Sequence, residues 1–94
     1  MAEPANPTEF IDNPRTRVTQ WLFAPGAATG WHRHDYDYVV VPLLDGQLKL
    51  LDADGNVTLA QLSKGVPYFR EAGVEHDVIN ANDYEFAFME VEFK

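Results

Sequence analysis

Three histidines are the residues of this sequence whose type and spacing could bind a metal ion. His32 and His34 stand two positions apart, and His76 follows far downstream; the chain contains no other histidine. In a β-strand, residues i and i+2 face the same side with Cα atoms about 6.5–7 Å apart, so two imidazoles can reach one ion through bonds of about 2 Å. We therefore predict a metal site at His32, His34 and His76, with open positions for water or a substrate.

The segments that would position these histidines read as short strands separated by turns. Asp45-Gly46 and Asp54-Gly55 lie between apolar runs and predict hairpins. No segment sustains a helical period over three turns. The predicted strands span residues 17–24, 29–34, 37–44, 47–52, 57–62, 66–70, 75–80 and 84–93. This pattern predicts one all-β domain over residues 17–94, a closed or double-sheet antiparallel barrel.

The first 16 residues have a different character, with three prolines among polar residues. They predict an extended arm, residues 1–16, that is neither helix nor part of the strand core. The arm contains two large apolar residues, Phe10 and Ile11. We expect their side chains to pack on this barrel or on the barrel of a partner chain. Because a chain of 94 residues is marginally stable alone, we predict a homodimer in which the arm or an edge strand pairs across.

Composition excludes several classes of function. The formal net charge of −8 and the scattered basic residues argue against nucleic-acid binding, which requires a basic surface. No apolar run approaches the ~20 residues that span a bilayer, so no membrane association is expected. The absence of cysteine removes disulfides and thiolate metal sites, and the expected compartment is the cytoplasm.

The first histidine pair stands in a motif that resembles one of the cupin superfamily. The family motif reads G-x5-H-x-H-x3,4-E-x6-G, and its matching positions are Gly26, His32, His34, Val39 and Gly46. Val39 takes the place of the glutamate. The resemblance implies that the usual carboxylate ligand is missing.

The third histidine stands in a second motif of the same superfamily, G-x5-P-x-G-x2-H-x3-N. Its matching positions are Gly65, Glu71, Gly73, His76 and Asn80, with Glu71 at the place of the proline. The two motifs in order imply a jelly-roll (double-stranded β-helix) barrel in which the three histidines hold a divalent transition metal. The runs WHRHDYDYVVVPL and EHDVINAN also resemble cupins of β-alanine degradation.

The ion in an all-imidazole site would be Fe, Zn or Ni, with Cu also suited to imidazole. A replacement for the missing glutamate ligand could come from Asp37, Tyr38 or Glu90. Asp37 is close to the glutamate's spacing but has the wrong strand parity. Glu90 shares a strand face with Phe86 and Phe88, and we place it on the solvent-facing side.

Three classes of function are compatible with such a site. The resemblance implies a mononuclear metalloenzyme acting on a small organic molecule, most readily an Fe(II)-dependent dioxygenase. A metal-dependent isomerase or lyase would need a base, for which Tyr38 and Glu90 are the candidate catalytic residues. A non-catalytic ligand-binding or accessory cupin is the third. Arg70 could meet an anionic substrate at the barrel mouth, although solvation of a turn is the preferred role.

Overall fold

Two antiparallel sheets face each other across an apolar core in this chain. A computed structural model describes residues 3–94. Its strands are β1 (Asn6–Asp12), β2 (Thr16–Phe23), β3 (His32–Arg33), β4 (Asp37–Pro42), β5 (Gly46–Leu51), β6 (Val57–Leu62), β7 (Tyr68–Arg70), β8 (Glu75–Asn80) and β9 (Phe86–Phe93). One sheet has the order β1-β2-β9-β4-β7 and the other β3-β8-β5-β6. The all-β prediction is confirmed, and residues 3–94 contain no helix long and apolar enough to cross a membrane.

The core lies between the sheets and fixes their spacing. Phe23, Phe86 and Leu48 are fully buried, and the rings of Phe23 and Phe88 lie 5.5 Å apart. Asn80, at the end of β8, is also buried, and its side-chain amide donates to the carbonyls of neighbouring loops, Tyr84 at 2.9 Å among them. The motif asparagine therefore joins β8 to the segment before β9 and has a structural role.

The two predicted hairpins have different outcomes. Asp54-Gly55 does connect β5 to β6, with Gly55 at a φ of 81°, a conformation that glycine adopts at little cost. Asp45-Gly46 is not a hairpin, because β4 and β5 belong to different sheets. A Cβ at Gly46 would lie 2.9 Å from the ring of Phe86. Glycine is needed here because the chain passes directly over a core side chain.

Residues 6–12 of the N-terminal arm form β1, an exposed strand at the edge of the five-stranded sheet. β1 pairs with β2 along its length, with Pro7 opposite Trp21. Proline is tolerated because β1 is an edge strand and lacks a partner for its outer hydrogen bonds. Phe10 and Ile11 are largely exposed and do not pack into this barrel. Residues 1 and 2 of the predicted arm lie outside the described residues.

The predicted strand over residues 29–34 is much shorter in the structure. Only His32 and Arg33 form β3, while Ala28 makes an isolated bridge to Ile79. Gly30, with a φ of 84°, interrupts the extended backbone between these two points. The interruption leaves His32 at the start of a short edge strand and His34 directly after its end.

Candidate metal centre

The pairing of β3 with β8 brings the three histidines together. His32 lies directly opposite His76 in this antiparallel pair, and His34 follows two residues after His32. The Nε2 atom of His34 lies 2.9 Å from that of His32 and 3.2 Å from that of His76. One ligand atom from each of the three lies within 4.8 Å of the others. The convergence predicted from strand parity is present.

The spacing of these nitrogens fits a single metal ion. Two nitrogens bound to one ion by bonds of about 2.0–2.1 Å lie at most about 4 Å apart, and the observed separations of 2.9 and 3.2 Å are within this limit. Three imidazole ligands would leave coordination positions of a transition metal open for water or a substrate. His32, His34 and His76 are therefore a suitable donor set for a transition metal with room for further ligands.

The outer nitrogens of two rings favour the tautomer that a metal requires. The Nδ1 of His32 lies 2.9 Å from the carbonyl oxygen of Gly30, which can only accept, so this nitrogen carries the proton. The hydroxyl of Thr29 lies 3.1 Å from the same atom. The Nδ1 of His34 faces the carboxylate of Glu90 at 3.5 Å. These partners leave the Nε2 lone pairs directed at the common point.

Burial also keeps two of the ligands uncharged. Desolvation, followed by the neighbouring His32, lowers the pKa of His34 to about 4. The pKa of His76 is lowered to about 4 by the same causes, with further effects from His34 and Arg70. Both imidazoles are neutral at pH 7, as metal binding requires.

Tyr38 is the residue of β4 that faces the histidines. Its ring stacks on that of His34, with centroids 3.9 Å apart and planes 16° from parallel. Burial, with a further effect from Glu90, raises the pKa of Tyr38 well above its ordinary value. The side chain is therefore a neutral phenol at pH 7 and can donate a hydrogen bond.

The assignment of Val39 to the site is wrong. Residues alternate between the faces of β4, and Tyr38 and Val40 line the cavity beside the histidines whereas Val39 does not. The family's shorter spacing of three residues places Tyr38 at the glutamate position. Asp37 is exposed, and its carboxylate accepts the backbone N–H of Ala72 at 2.8 Å. It stabilises a turn and does not reach the histidines.

Glu90 lies inside the barrel, which corrects its predicted place on the solvent-facing side. β9 is the central strand of the five-stranded sheet, and the row that contains Phe88 and Glu90 faces inward. Desolvation, and then the charge of Glu92, raises the pKa of Glu90 to about 7, against a smaller lowering by Trp21 and Arg17. Strand alternation predicted which residues share this face but not which face is buried.

Two cavities meet at the histidines. The inner cavity, of about 40 Å³, is bounded by the three histidines, Tyr38, Arg70 and Glu90 and by an apolar wall that includes Val40, Leu48 and Phe88. The outer cavity, of about 370 Å³, lies between β1, β2 and β3 and is bounded by His32, His34, Glu90 and charged side chains. The candidate metal site therefore has a largely apolar inner side and a polar approach.

Thr29 contributes to the site although no sequence motif singled it out, and Arg70 lies at the cavity, the less favoured of its two predicted locations. Thr29 accepts the backbone N–H of Val78 at 3.2 Å and lies against His32, which holds that ring beside β8. Arg70 lines the inner cavity from β7, although solvation of a turn was its preferred role. Its position opposite Tyr38 depends on the pairing of β4 with β7, which no local pattern specifies.

Known proteins are similar to this chain in sequence and in fold. The sequence matches the Cupin domain family over residues 19–92. The beta-alanine degradation protein BauB of Pseudomonas aeruginosa is 56% identical over 90 residues, which cover 96% of this chain and 94% of that protein. A relative of this similarity over nearly its whole length establishes common family membership.

Solved structures agree with this assignment. A cupin domain from Bordetella pertussis Tohama I matches with a TM-score of 0.96 and 52% identity over 100% of this chain and 97% of that one. A double-stranded β-helix protein from Klebsiella pneumoniae gives a TM-score of 0.76 at 20% identity over 94% of this chain and 75% of that one, which supports the fold alone. The predicted jelly-roll barrel is confirmed, and the chain belongs to the cupin family.

Proposed function

We propose that this cupin binds one divalent transition metal through His32, His34 and His76 and acts on a small organic molecule in a dioxygenase-like reaction. The observation that carries the proposal is the convergence of three Nε2 atoms at separations of 2.9 and 3.2 Å between adjacent pairs. The Gly30 carbonyl and the Glu90 carboxylate at the opposite nitrogens support it.

The chemistry would be shared between the ion and the cavity. When bound, iron would supply redox chemistry toward dioxygen, while zinc or nickel would act as a Lewis acid. The apolar wall of the inner cavity excludes bulk water from that side. Tyr38 supplies a neutral hydroxyl group, and its stacked ring holds His34 in place. These residues position a ligand and limit side reactions with water.

The relatives suggest a metabolic setting for this activity. The name of the Pseudomonas aeruginosa protein places it in beta-alanine degradation, and the two proteins align over nearly their whole lengths. We propose that this chain takes part in the same process, in which the relevant molecules are small and polar. A small inner cavity is consistent with a small ligand.

A metal-dependent isomerase or lyase is the second candidate, favoured by the position of Glu90. This carboxyl is buried in the inner cavity, and burial raises its pKa to about 7. A group with a pKa near the working pH can both accept and donate a proton efficiently. Glu90 is then the candidate base, whereas Tyr38, held as a phenol, is not.

Oxygen consumption by the reconstituted protein tests the proposal. Protein loaded anaerobically with Fe²⁺ would be mixed with air-saturated buffer and β-alanine or related three-carbon acids in an oxygen electrode. We expect substrate-dependent oxygen uptake that is lost in His76→Ala and retained in Arg15→Gln, an exposed residue that lines neither cavity. Conversion without oxygen uptake, followed by NMR, would support the isomerase or lyase. Metal binding with no conversion would contradict both and leave an accessory, non-catalytic role.

A further inference from the structure

Arg70 is the cationic side chain of the inner cavity. It lies in β7 opposite Tyr38 of β4, so both side chains project from the same face of the sheet. Its guanidinium carbon lies 4.6 Å from the centroid of the Tyr68 ring, and its Nη1 donates to the Phe69 carbonyl at 3.0 Å. These contacts hold the guanidinium at the edge of the cavity.

The other arginines that line the two cavities have carboxylate partners. Arg17 forms two hydrogen bonds of 2.8 Å with Glu92, and Arg33 lies 3.4 Å from Glu75. Within residues 3–94, no carboxylate lies within 4.0 Å of Arg70. A guanidinium has five N–H donors, and only one of those of Arg70 is used by a protein group in that range. Arg70 can therefore bind an anionic ligand with a pair of parallel hydrogen bonds.

The size of the inner cavity limits what this anion can be. Its volume is about 40 Å³, against about 370 Å³ for the outer cavity, so it suits a small molecule. Much of its remaining lining is apolar, with Val40, Leu48 and Leu50 among its residues. A fitting ligand has one charged end and a short carbon chain.

We propose that the inner cavity binds a short-chain carboxylate, of about two to four carbon atoms, with its carboxylate held by Arg70 and its reacting end at the metal site. The inference rests on the proposed metal site at His32, His34 and His76. A divalent ion and a guanidinium that face the same cavity favour an anion and disfavour an amine of the same length. Glu90 is the acidic residue of this lining, and its carboxylate would repel a second negative charge on the ligand. The cavity should therefore prefer a ligand with a single negative charge.

Calorimetric titration of zinc-loaded protein with propionate tests the inference. Propylamine and 1-propanol, matched in length, serve as cationic and neutral probes. Propionate should bind and the other two should not. Arg70→Gln should weaken propionate binding by about tenfold to hundredfold, because it removes charge-assisted hydrogen bonds. Arg70→Lys retains the positive charge but cannot form the pair of parallel hydrogen bonds, so it should weaken propionate binding less.

A matched variant and a separate measurement keep the outcomes distinct. Arg15→Gln makes the same charge change at an exposed residue that lines neither cavity and should leave propionate binding within about twofold of the parent. Zinc titration of the same proteins reads the metal site separately, and Arg70→Gln should bind zinc as the parent does. Failure of the parent to bind zinc would overturn the proposed metal site. Zinc binding with propionate affinity unchanged in Arg70→Gln would overturn the carboxylate assignment alone.

Discussion

The orientation of His32 and His34 is determined by the groups that contact their rings. Gly30 fixes His32 by a hydrogen bond from the ring to its carbonyl at 2.9 Å, and Tyr38 holds the ring of His34 by stacking at 3.9 Å. Rings held in this way lose little rotational freedom when an ion binds. The affinity of the site should therefore depend on these neighbours as well as on the three ligands.

The stability of the metal-free protein should report the burial of the histidines. The folded-state pKa of His76, about 4, lies below the ordinary value of 6.5. The stabilisation of the folded state that His76 contributes is therefore present above pH 6.5. It is lost as the pH falls toward 4, because the unfolded chain binds the proton first. Glu90, with a pKa raised from 4.5 to about 7, acts in the opposite direction: its contribution is present below pH 4.5 and is lost as the pH rises through 7.

Comparison with His76→Gln isolates one of these groups. In urea denaturation with a chelator, the unfolding free energy of the parent minus that of His76→Gln should decrease between pH 7.5 and pH 4.5. Both proteins retain Glu90, so its effect cancels to first order. A difference that does not vary with pH would show that His76 is not held in its neutral form.

Carboxylate substitution on β4 tests which residue faces the ion. Tyr38→Glu should add an oxygen ligand and raise the affinity for Mn²⁺ by about tenfold or more, whereas Val39→Glu should leave it unchanged. The metal-free Tyr38→Glu protein should be destabilised by several kcal/mol because its carboxylate is buried, and Mn²⁺ should restore part of this. Mn²⁺-titrated thermal melts measure both effects. Greater stabilisation of Val39→Glu would contradict the assignment of Tyr38.

At the scale of the elements, the sequence specified most strands but not their partners. Turn residues and apolar alternation located β2 and β4–β9 to within a few residues. The Asp45-Gly46 turn has the local features of a hairpin, and only the long-range pairing of β4 with β9 and of β5 with β8 reveals it as a crossing between sheets. Local patterns are determined by turn chemistry, whereas pairing depends on packing between distant segments.

Gly46→Ala tests the close passage at this crossing. The added methyl group would lie 2.8 Å from the side-chain amide nitrogen of Asn82 and 2.9 Å from the ring of Phe86, which is fully buried and cannot move freely. We expect a loss of about 1–3 kcal/mol in the free energy of unfolding, measured in urea. In a Phe86→Leu background the same change should cost less, since the smaller side chain leaves space. Equal costs in both backgrounds would show that the ring is not the obstacle.

At the scale of the whole molecule, the distribution of exposed apolar side chains supports self-association. Phe10 of β1, Leu59 of β6 and Phe69 of β7 are exposed, and all three strands are sheet edges. Edge strands with apolar residues are suited to pairing with another chain. The homodimer, paired through the arm or an edge strand, remains a prediction, and β1, β6 and β7 are its candidate interfaces.

Sedimentation analysis at micromolar concentration tests the dimer. The chain of 10.6 kDa should sediment with twice that mass. Phe69→Asp and Phe10→Asp place a charge on opposite edges, and the one that weakens association identifies the interface. A monomeric parent protein would contradict the prediction.

The candidate site was predictable where it depends on spacing and unpredictable where it depends on register. His32 and His34 share a face at any register, and the second motif supplied His76. Only the observed alternation of β4 shows that Tyr38, and not Val39, faces the site. Glu90 was placed on the wrong side because a charged residue on an alternating strand is usually exposed, and its inward position follows from β9 lying between β2 and β4.

The metal content of the purified protein tests the central claim most directly. Protein prepared without an affinity tag would be dialysed against Fe²⁺, Zn²⁺ and Ni²⁺ in turn, and bound metal would be measured by mass spectrometry alongside His76→Ala. The account predicts one ion per chain for at least one of these metals and loss of binding at micromolar metal in the variant, because His32 and His34 alone make a weak site. Undiminished stoichiometry in His76→Ala, or no bound ion in the parent, would contradict it.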